Sequence, residues 1–506
     1  MADKFPELEK RRAEALQGGG LERIERQHDE GKLTARERLG NRTDVEGFIG
    51  PGAKVLENAE TVYNYNEDYD GRKGGGFFVQ EQLGWRNRLF VTGGFRADSH
   101  SNFGQDLEHD YFLLIYPKLQ ATYSISDHAF WPDWWETSRI RAAYGESGEP
   151  PPPGESLVYW QASSLADENN LGFIIQNQGN DEIGPERTRE YEVGLDGSFL
   201  LGKVNYTFTA YQRETYDGLV SIAPPPSNGI AENVYQNIGS WEAQGIETAL
   251  DVLAYDGLDV QVSVNGRYQW NETMMNKLSN NPESTINLNY LQQIRVGVPM
   301  PAMFQYTLLN GDSVGQLPQY SDTTEFQGPT YPPHEASFGV TATLWNRLTL
   351  DAFGMSQWGH VLYDDLAQEI QGNYGGFWEP CKEIDEQVAA YLNEEPGSSI
   401  DNLTARQIAK CSQNWSDNED WLSEADFIRL GTASLSYRLP EQWLTRIPGG
   451  FEQATIQLQG QNLWMWSKFR GLHPDALLNT AANVDRGAGY ILPPPKRFTL
   501  NLRLNF

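Results

Sequence analysis

Residues 498–506 read F-T-L-N-L-R-L-N-F. Phe498, Leu500, Leu502, Leu504 and Phe506 fall on one side of an extended backbone, and Thr499, Asn501, Arg503 and Asn505 on the other. Side chains alternate across a strand with period two, so this segment has one apolar wall and one polar wall. A single strand of this kind suits a soluble sandwich as well as a membrane barrel. The recurrence of the pattern upstream separates the two.

Working back from the end, residues 454–466, 427–439, 348–355 and 337–344 repeat the alternation. So do 258–270, 246–252, 204–210 and 191–199, followed by 138–144, 119–126, 88–96 and 77–85. The connections alternate between very short turns, such as W-R-N and W-N-R, and polar loops of about 20 to 60 residues. Outer-membrane barrels alternate short periplasmic turns with long extracellular loops in the same way. Long loops without structure of their own are uncommon in compact soluble domains. The polar faces carry Glu192, Asp196, Glu247, Asp251, Asp259, Arg267 and Asp351. A barrel of this size turns such residues toward a wet lumen. The pattern predicts an all-β, antiparallel outer-membrane barrel portion of about 14 strands.

Composition agrees. Among 506 residues, 39 Lys and Arg face 69 Asp and Glu, a net charge of −30. That balance excludes a nucleic-acid partner, since a phosphate backbone needs a cationic face. Aromatics make up 12% of the chain, with 15 Trp and 24 Tyr. Interfacial girdles or carbohydrate-binding surfaces would use such a supply. No long uninterrupted apolar run of the kind a membrane-crossing helix needs is present. A mean hydropathy of −0.57 is compatible with a barrel in which only alternate residues meet lipid. The opening M-A-D-K-F-P-E-L-E-K has no apolar core of a secretory signal.

Residues 1–40 differ from the rest. They are dense in Lys, Arg and Glu, and the charged helical pattern stops at Gly18-Gly19-Gly20. The run G-K-L-T-A-R-E-R-L, residues 31–39, resembles the amino-terminal opening of carboxyltransferase β subunits of biotin-dependent acyl-CoA carboxylases. The resemblance implies a crotonase-like domain downstream, and no glycine-rich oxyanion loops follow. Residues 41–60 form a junction, after which Y-N-Y-N-E-D-Y-D opens the β pattern.

Within that pattern, G-F-F-V-Q-E-Q-L-G-W-R-N-R-L-F-V-T-G-G-F-R-A-D (76–98) resembles barrel segments of SusC/RagA-type TonB-linked outer-membrane receptors. So do G-P-E-R-T-R-E-Y-E-V-G-L-D (184–196), N-I-G-S-W-E-A-Q-G-I-E-T-A-L (237–250), A-D-F-I-R-L-G-T-A-S-L-S-Y-R-L-P (425–440) and G-Q-N-L-W-M-W-S-K-F-R-G-L-H-P-D (460–475). The resemblance implies a TonB-dependent importer of a large nutrient ligand, an oligosaccharide or peptide, located in the outer membrane. Its expected partners are the TonB energy complex, a SusD-like surface lipoprotein and the barrel-assembly machinery. Members of the family have about 22 barrel strands around an amino-terminal plug. Residues 61–506 supply too few strands and no plug, so the sequence reads as a truncated barrel joined, by fusion or misjoining, to a carboxyltransferase start.

Catalytic chemistry is weakly represented. The seven histidines show no H-E-x-x-H spacing, Cys381 and Cys411 form no C-x-x-C, and Gly74-Gly75-Gly76 leads into a strand rather than a helix. No catalytic, metal or cofactor site is expected. The two cysteines either pair in a loop disulfide or remain thiols. Tyr159, Trp160, Trp358, Trp378, Trp415 and Trp421 are candidates for stacking on a sugar or peptide, with an interfacial girdle as the alternative. Leu502, Leu504 and Phe506 form the candidate assembly signal. The competing functions are a carboxyltransferase fragment, carried by residues 1–40 alone, and a barrel or adhesin that transports nothing.

Overall fold

A computed structural model of the chain describes residues 72–104, 114–164, 171–222, 224, 233–279, 281–288, 291–373, 379–412, 421–444, 450–475, 478–479, 486–487 and 491–505. The expected helical segment 1–40 and the junction 41–60 lie outside the described residues, as do Trp378, Trp415 and Phe506.

The described chain is dominated by one antiparallel sheet of 13 strands in which every strand pairs with its neighbours in sequence. The strands are β1 Gly74–Trp85, β2 Leu89–His100, β3 Ile115–Ser124, β4 Thr137–Glu149 and β5 Glu186–Phe199. Then come β6 Val204–Ile222, β7 Val234–Asp256, β8 Val260–Lys277, β9 His334–Leu344 and β10 Leu348–Trp358. β11 Phe427–Arg438, β12 Gln453–Ser467 and β13 Arg497–Asn505 complete the sheet. This is one strand fewer than the sequence pattern suggests. Among the described residues β1 and β13 each pair on one side only, so the described sheet is open.

Local chemistry explains the short connections. A tight β-turn that follows the right-handed twist of its strands needs positive φ at both central residues. Arg86 and Asn87 adopt 50° and 53°, and Trp345 and Asn346 adopt 51° and 53°. Each turn closes with a backbone bond of 3.0 Å, from Arg88 to Trp85 and from Arg347 to Leu344.

Register then sorts the two faces. Val252, Val264 and Val340 lie side by side, and Ala352, Ala433, Gly460 and Phe498 continue the same row. Glu247, Gln269 and Glu335 form a row on the opposite face. β10 is 11 residues long. A tilted strand needs roughly 9 to 11 residues to cross a bilayer. At the short-turn end, Trp85, Trp134, Tyr255, Trp345 and Trp443 are each more than half exposed. Girdle residues at a membrane interface are placed in this way. β6, β7 and β8 run to 19, 23 and 18 residues. Their far ends therefore stand clear of the lipid band.

The long loops are not the plain polar connections the sequence suggested. The β8–β9 loop folds a four-stranded sheet from Thr285–Asn287, Gln292–Arg295, Ala302–Gln305 and Glu325–Pro329. The β10–β11 loop contains a hairpin of Val361–Tyr363 with Leu422–Glu424. It also carries helices α1 Asp365–Asn373, α2 Glu379–Leu392 and α3 Ala405–Cys411. Polar, Gly-rich sequence hides these units because their apolar contacts come from other loops. No described helix is long and apolar enough to cross a membrane.

Candidate functional site

The polar face of the sheet is a connected wall. Arg141 on β4 donates to Glu192 on β5 and Thr209 on β6, and its Nε lies 3.1 Å from Asp196 Oδ1. One guanidinium fork thereby ties three strands, a geometry suited to carboxylate recognition. Farther along, Asp351 accepts from Thr341 at 2.9 Å and Ser434 at 3.1 Å. Gln457 reaches Ser434 at 3.5 Å and accepts from Asn501 at 3.4 Å, which links β9 through β13. Such a chain of polar groups belongs on a wet interior, because on the lipid side each group would cost several kcal/mol.

Between these two runs the wall recedes into a cavity of about 380 Å³. Thr209, Glu247, Arg267, Gln269, Glu335 and Phe353 line it. Arg267 lies two residues from Gln269 on the same face of β8 and lines the recess, with no ion pair among the described residues. Here the wall offers both signs of charge, amide hydrogen bonds and one aromatic face.

Above the outer end, three loops share buried cores and form a canopy. Met303 from the β8–β9 loop packs with Tyr363, Trp421 and Leu422 of the β10–β11 loop. Leu362 and Ala425 pack against Phe469 of the β12–β13 loop. Gln292 and the Arg486 backbone exchange two hydrogen bonds of 2.9 Å, and the Arg486 side chain donates to the Thr330 carbonyl at 3.1 Å. α2 and α3 enclose a core of Val388, Ile400, Leu403 and Ile408, with Leu317 of the β8–β9 loop against it. Thr404 starts α3 with a capping box, its hydroxyl accepting from the Gln407 amide. The structure joins Cys381 to Cys411 in a disulfide with Cα atoms 4.7 Å apart, which fastens these two helices.

His360 lies at the heart of the canopy, 1% exposed, with neither ring nitrogen hydrogen-bonded. Burial, aided by the Arg486 charge and opposed by Asp426, pushes its pKa down to about 4. Burial raises the neighbouring Asp426 carboxyl, but Lys468 at 2.8 Å and the Gly359 amide outweigh that and hold it below its ordinary value. Burial also raises Asp364, partly offset by the Ala367 amide.

The predicted aromatics separate into different roles. Tyr159 and Trp160 stand exposed on a hairpin of the β4–β5 loop. That loop is braced on β7, where Asn180 donates to the Tyr235 carbonyl at 2.9 Å. Trp358 ends β10 on the apolar face and stacks on His334 at 5.2 Å and Tyr268 at 6.0 Å. This is an interfacial position rather than a loop one. Trp421 must be corrected. It is 6% exposed inside the canopy core and presents no face to a ligand. Leu502 and Leu504 lie on the apolar face of β13, paired with Ile456 and Ala454. Sequence reasoning did not single out Arg141, His360 or the Gln292–Arg486 pair. R-I-R at 139–141 carries a signal only once strands two places away are aligned.

Comparison with known proteins accounts for this architecture. The family described as TonB dependent receptor-like, beta-barrel matches residues 29–463. TonB-dependent receptor P26 of Formosa agariphila is 22% identical over 98% of this chain and 52% of its own length. TonB-dependent receptor SusC of Bacteroides thetaiotaomicron is 22% identical over 83% of this chain and 42% of its own length. The solved RagAB peptide transporter superposes with a TM-score of 0.68 at 18% identity, covering 86% of this chain and 48% of that one. A stretch of 39 residues is 59% identical to the propionyl-CoA carboxylase carboxyltransferase subunit of Haloferax mediterranei, over 8% of each chain. The chain spans about half the length of the curated receptors it matches. With its ordered antiparallel ladder, polar wall and apolar outer band, the chain belongs to the TonB-dependent receptor family of outer-membrane β-barrels.

Proposed function

We propose that the chain provides barrel wall and outer loops for TonB-dependent import of a large nutrient, an oligosaccharide or a peptide. The observation that carries this reading is the polar wall beneath a canopy of three interlocked loops. A barrel serving adhesion alone does not need a lumen-facing recess with exposed charge of both signs. In this reading the receptor acts with a plug, the TonB energy complex and a SusD-like surface lipoprotein. The exposed Tyr159 and Trp160 supply stacking faces near the entrance.

The test is uptake of labelled oligosaccharides and labelled peptides by cells carrying the receptor, with and without an uncoupler. Uncoupler-sensitive uptake of either class is expected, reduced in a Tyr159→Ala, Trp160→Ala double variant. Cell-surface binding with no uptake of either class would replace import by adhesion.

We further infer that residues 1–40 are a segment of separate origin, since G-K-L-T-A-R-E-R-L at 31–39 resembles carboxyltransferase openings, the carboxyltransferase match covers only 8% of the chain, and the alternating pattern begins after residue 60. Sequencing source DNA across the codons for residues 33–69 tests this inference. An intact junction marks a gene fusion. Two products, each continuing into its own family, mark a misjoined sequence.

A further inference from the structure

The apolar face of β9 to β13 is not a smooth band. Ala352, Ala433 and Gly460 lie in one row on β10, β11 and β12 and form the floor of a recess of about 470 Å³. Leu350, Leu435 and Leu458 occupy the next row and form one wall, and Phe498 of β13 closes one side. A break in register between Leu430 and Thr432, opposite Gln461 and Trp464, makes the ceiling. There Asn462 adopts a φ of 53° and the bulge turns Leu463 over Gly460. A Cβ on Gly460 would stand 2.6 Å from Leu463 Cδ2, so glycine is what lets the leucine lean in.

Two features identify an occupant. The recess is continuous with the lipid-facing band, so in the membrane it opens onto acyl chains rather than water. Its upper end lies near the start of β13, where Lys496 stands exposed two residues before Phe498. Neither Lys496 nor Arg497 has an ion pair among the described residues. From there the long side chain of Lys496 can snorkel toward the headgroups, where an ammonium complements an anionic headgroup.

We propose that this recess binds an anionic phospholipid of the outer leaflet, with one acyl chain in the groove and its negatively charged headgroup at Lys496. The small floor residues give the chain depth, and Leu463 with Phe498 holds it along its length. The site lies on the opposite face of the sheet from the lumen wall and does not depend on import.

The experiment uses the full chain, extracted from outer membranes in mild detergent and titrated with dimyristoyl phosphatidylglycerol or dimyristoyl phosphatidylcholine under native mass spectrometry. The folded chain should retain one phosphatidylglycerol, favoured by about tenfold over phosphatidylcholine. Ala433→Phe fills the groove and should lower retention of both lipids by about tenfold. Lys496→Glu should bring phosphatidylglycerol down to the level of phosphatidylcholine. Heat-modifiable migration confirms folding, and Ala352→Leu is the milder filling variant should Ala433→Phe not insert. Equal retention by the wild-type and filled chains overturns the proposal, as does equal retention of the two lipids by the wild-type chain. A dimer that is lost on filling the groove would assign the surface to a second copy instead.

Discussion

His360 makes the canopy sensitive to acid. The ring is buried beside Arg486 and Asp426 with both nitrogens unpaired, and its pKa is pushed down to about 4 from an ordinary 6.5. In the opened canopy the ring returns to water and titrates near its ordinary value. Between those two values the open state binds more protons than the closed one, so stability falls as pH falls. The contribution is complete above about pH 6.5 and lost by about pH 4. At about 1.4 kcal/mol for each pH unit between the two values, it amounts to about 3.5 kcal/mol, or roughly 300-fold in the opening constant. Asp364 acts in the opposite sense, because its raised pKa favours the closed canopy as pH falls. Asp426 titrates below its ordinary range and therefore below most of this window. Hydrogen exchange of peptides covering residues 359–364 and 421–426, corrected for intrinsic rates, measures the opening constant from pH 7 to pH 4. The native canopy should lose protection by up to about 300-fold. His360→Leu removes the titrating group and two unpaired polar atoms, so its protection at pH 7 should be equal or greater and its pH dependence nearly flat. The reasoning is refuted if His360→Leu keeps the native pH dependence.

Other consequences are equally direct. Val264→Arg places a charge in the middle of the apolar row and should destabilise the inserted barrel by about 2–4 kcal/mol, whereas Asn265→Arg on the lumen face should be nearly neutral. Urea titration of the chain in lipid, followed by heat-modifiable migration, separates the two, and equal effects would reverse the assignment of faces. Arg141→Met leaves Glu192 and Asp196 facing each other and should cost about 1–2 kcal/mol in the same titration, with Arg141→Lys recovering part of it. Replacing Cys381 and Cys411 together by serine should weaken the α2–α3 unit by about 3 kcal/mol, seen as faster proteolysis within residues 379–412 while the barrel stays resistant. Unchanged cleavage would show that the core around Val388 and Ile408 suffices without the bridge.

The sequence by itself settled the class of fold, because alternation is a local property. Each strand declares its apolar face through residues two apart, and the tight turns declare themselves through Arg86-Asn87 and Trp345-Asn346, where the backbone must turn left-handed. The family was legible for the same reason, in blocks that lie within single strands and hairpins. The site was not. Arg141 meets Glu192, Asp196 and Thr209 only after β4, β5 and β6 are aligned, and no spacing within one strand encodes that register. The canopy was hidden for a related reason. Met303 and Trp421 belong to different loops, so the same tryptophan reads as an exposed loop aromatic in sequence and is a core residue in the fold. The lipid-facing recess needs three strands to set Ala352, Ala433 and Gly460 in one row and a bulge to tip Leu463 over them. Period-two patterning fixes which face a residue occupies; only pairing across strands fixes what it meets there.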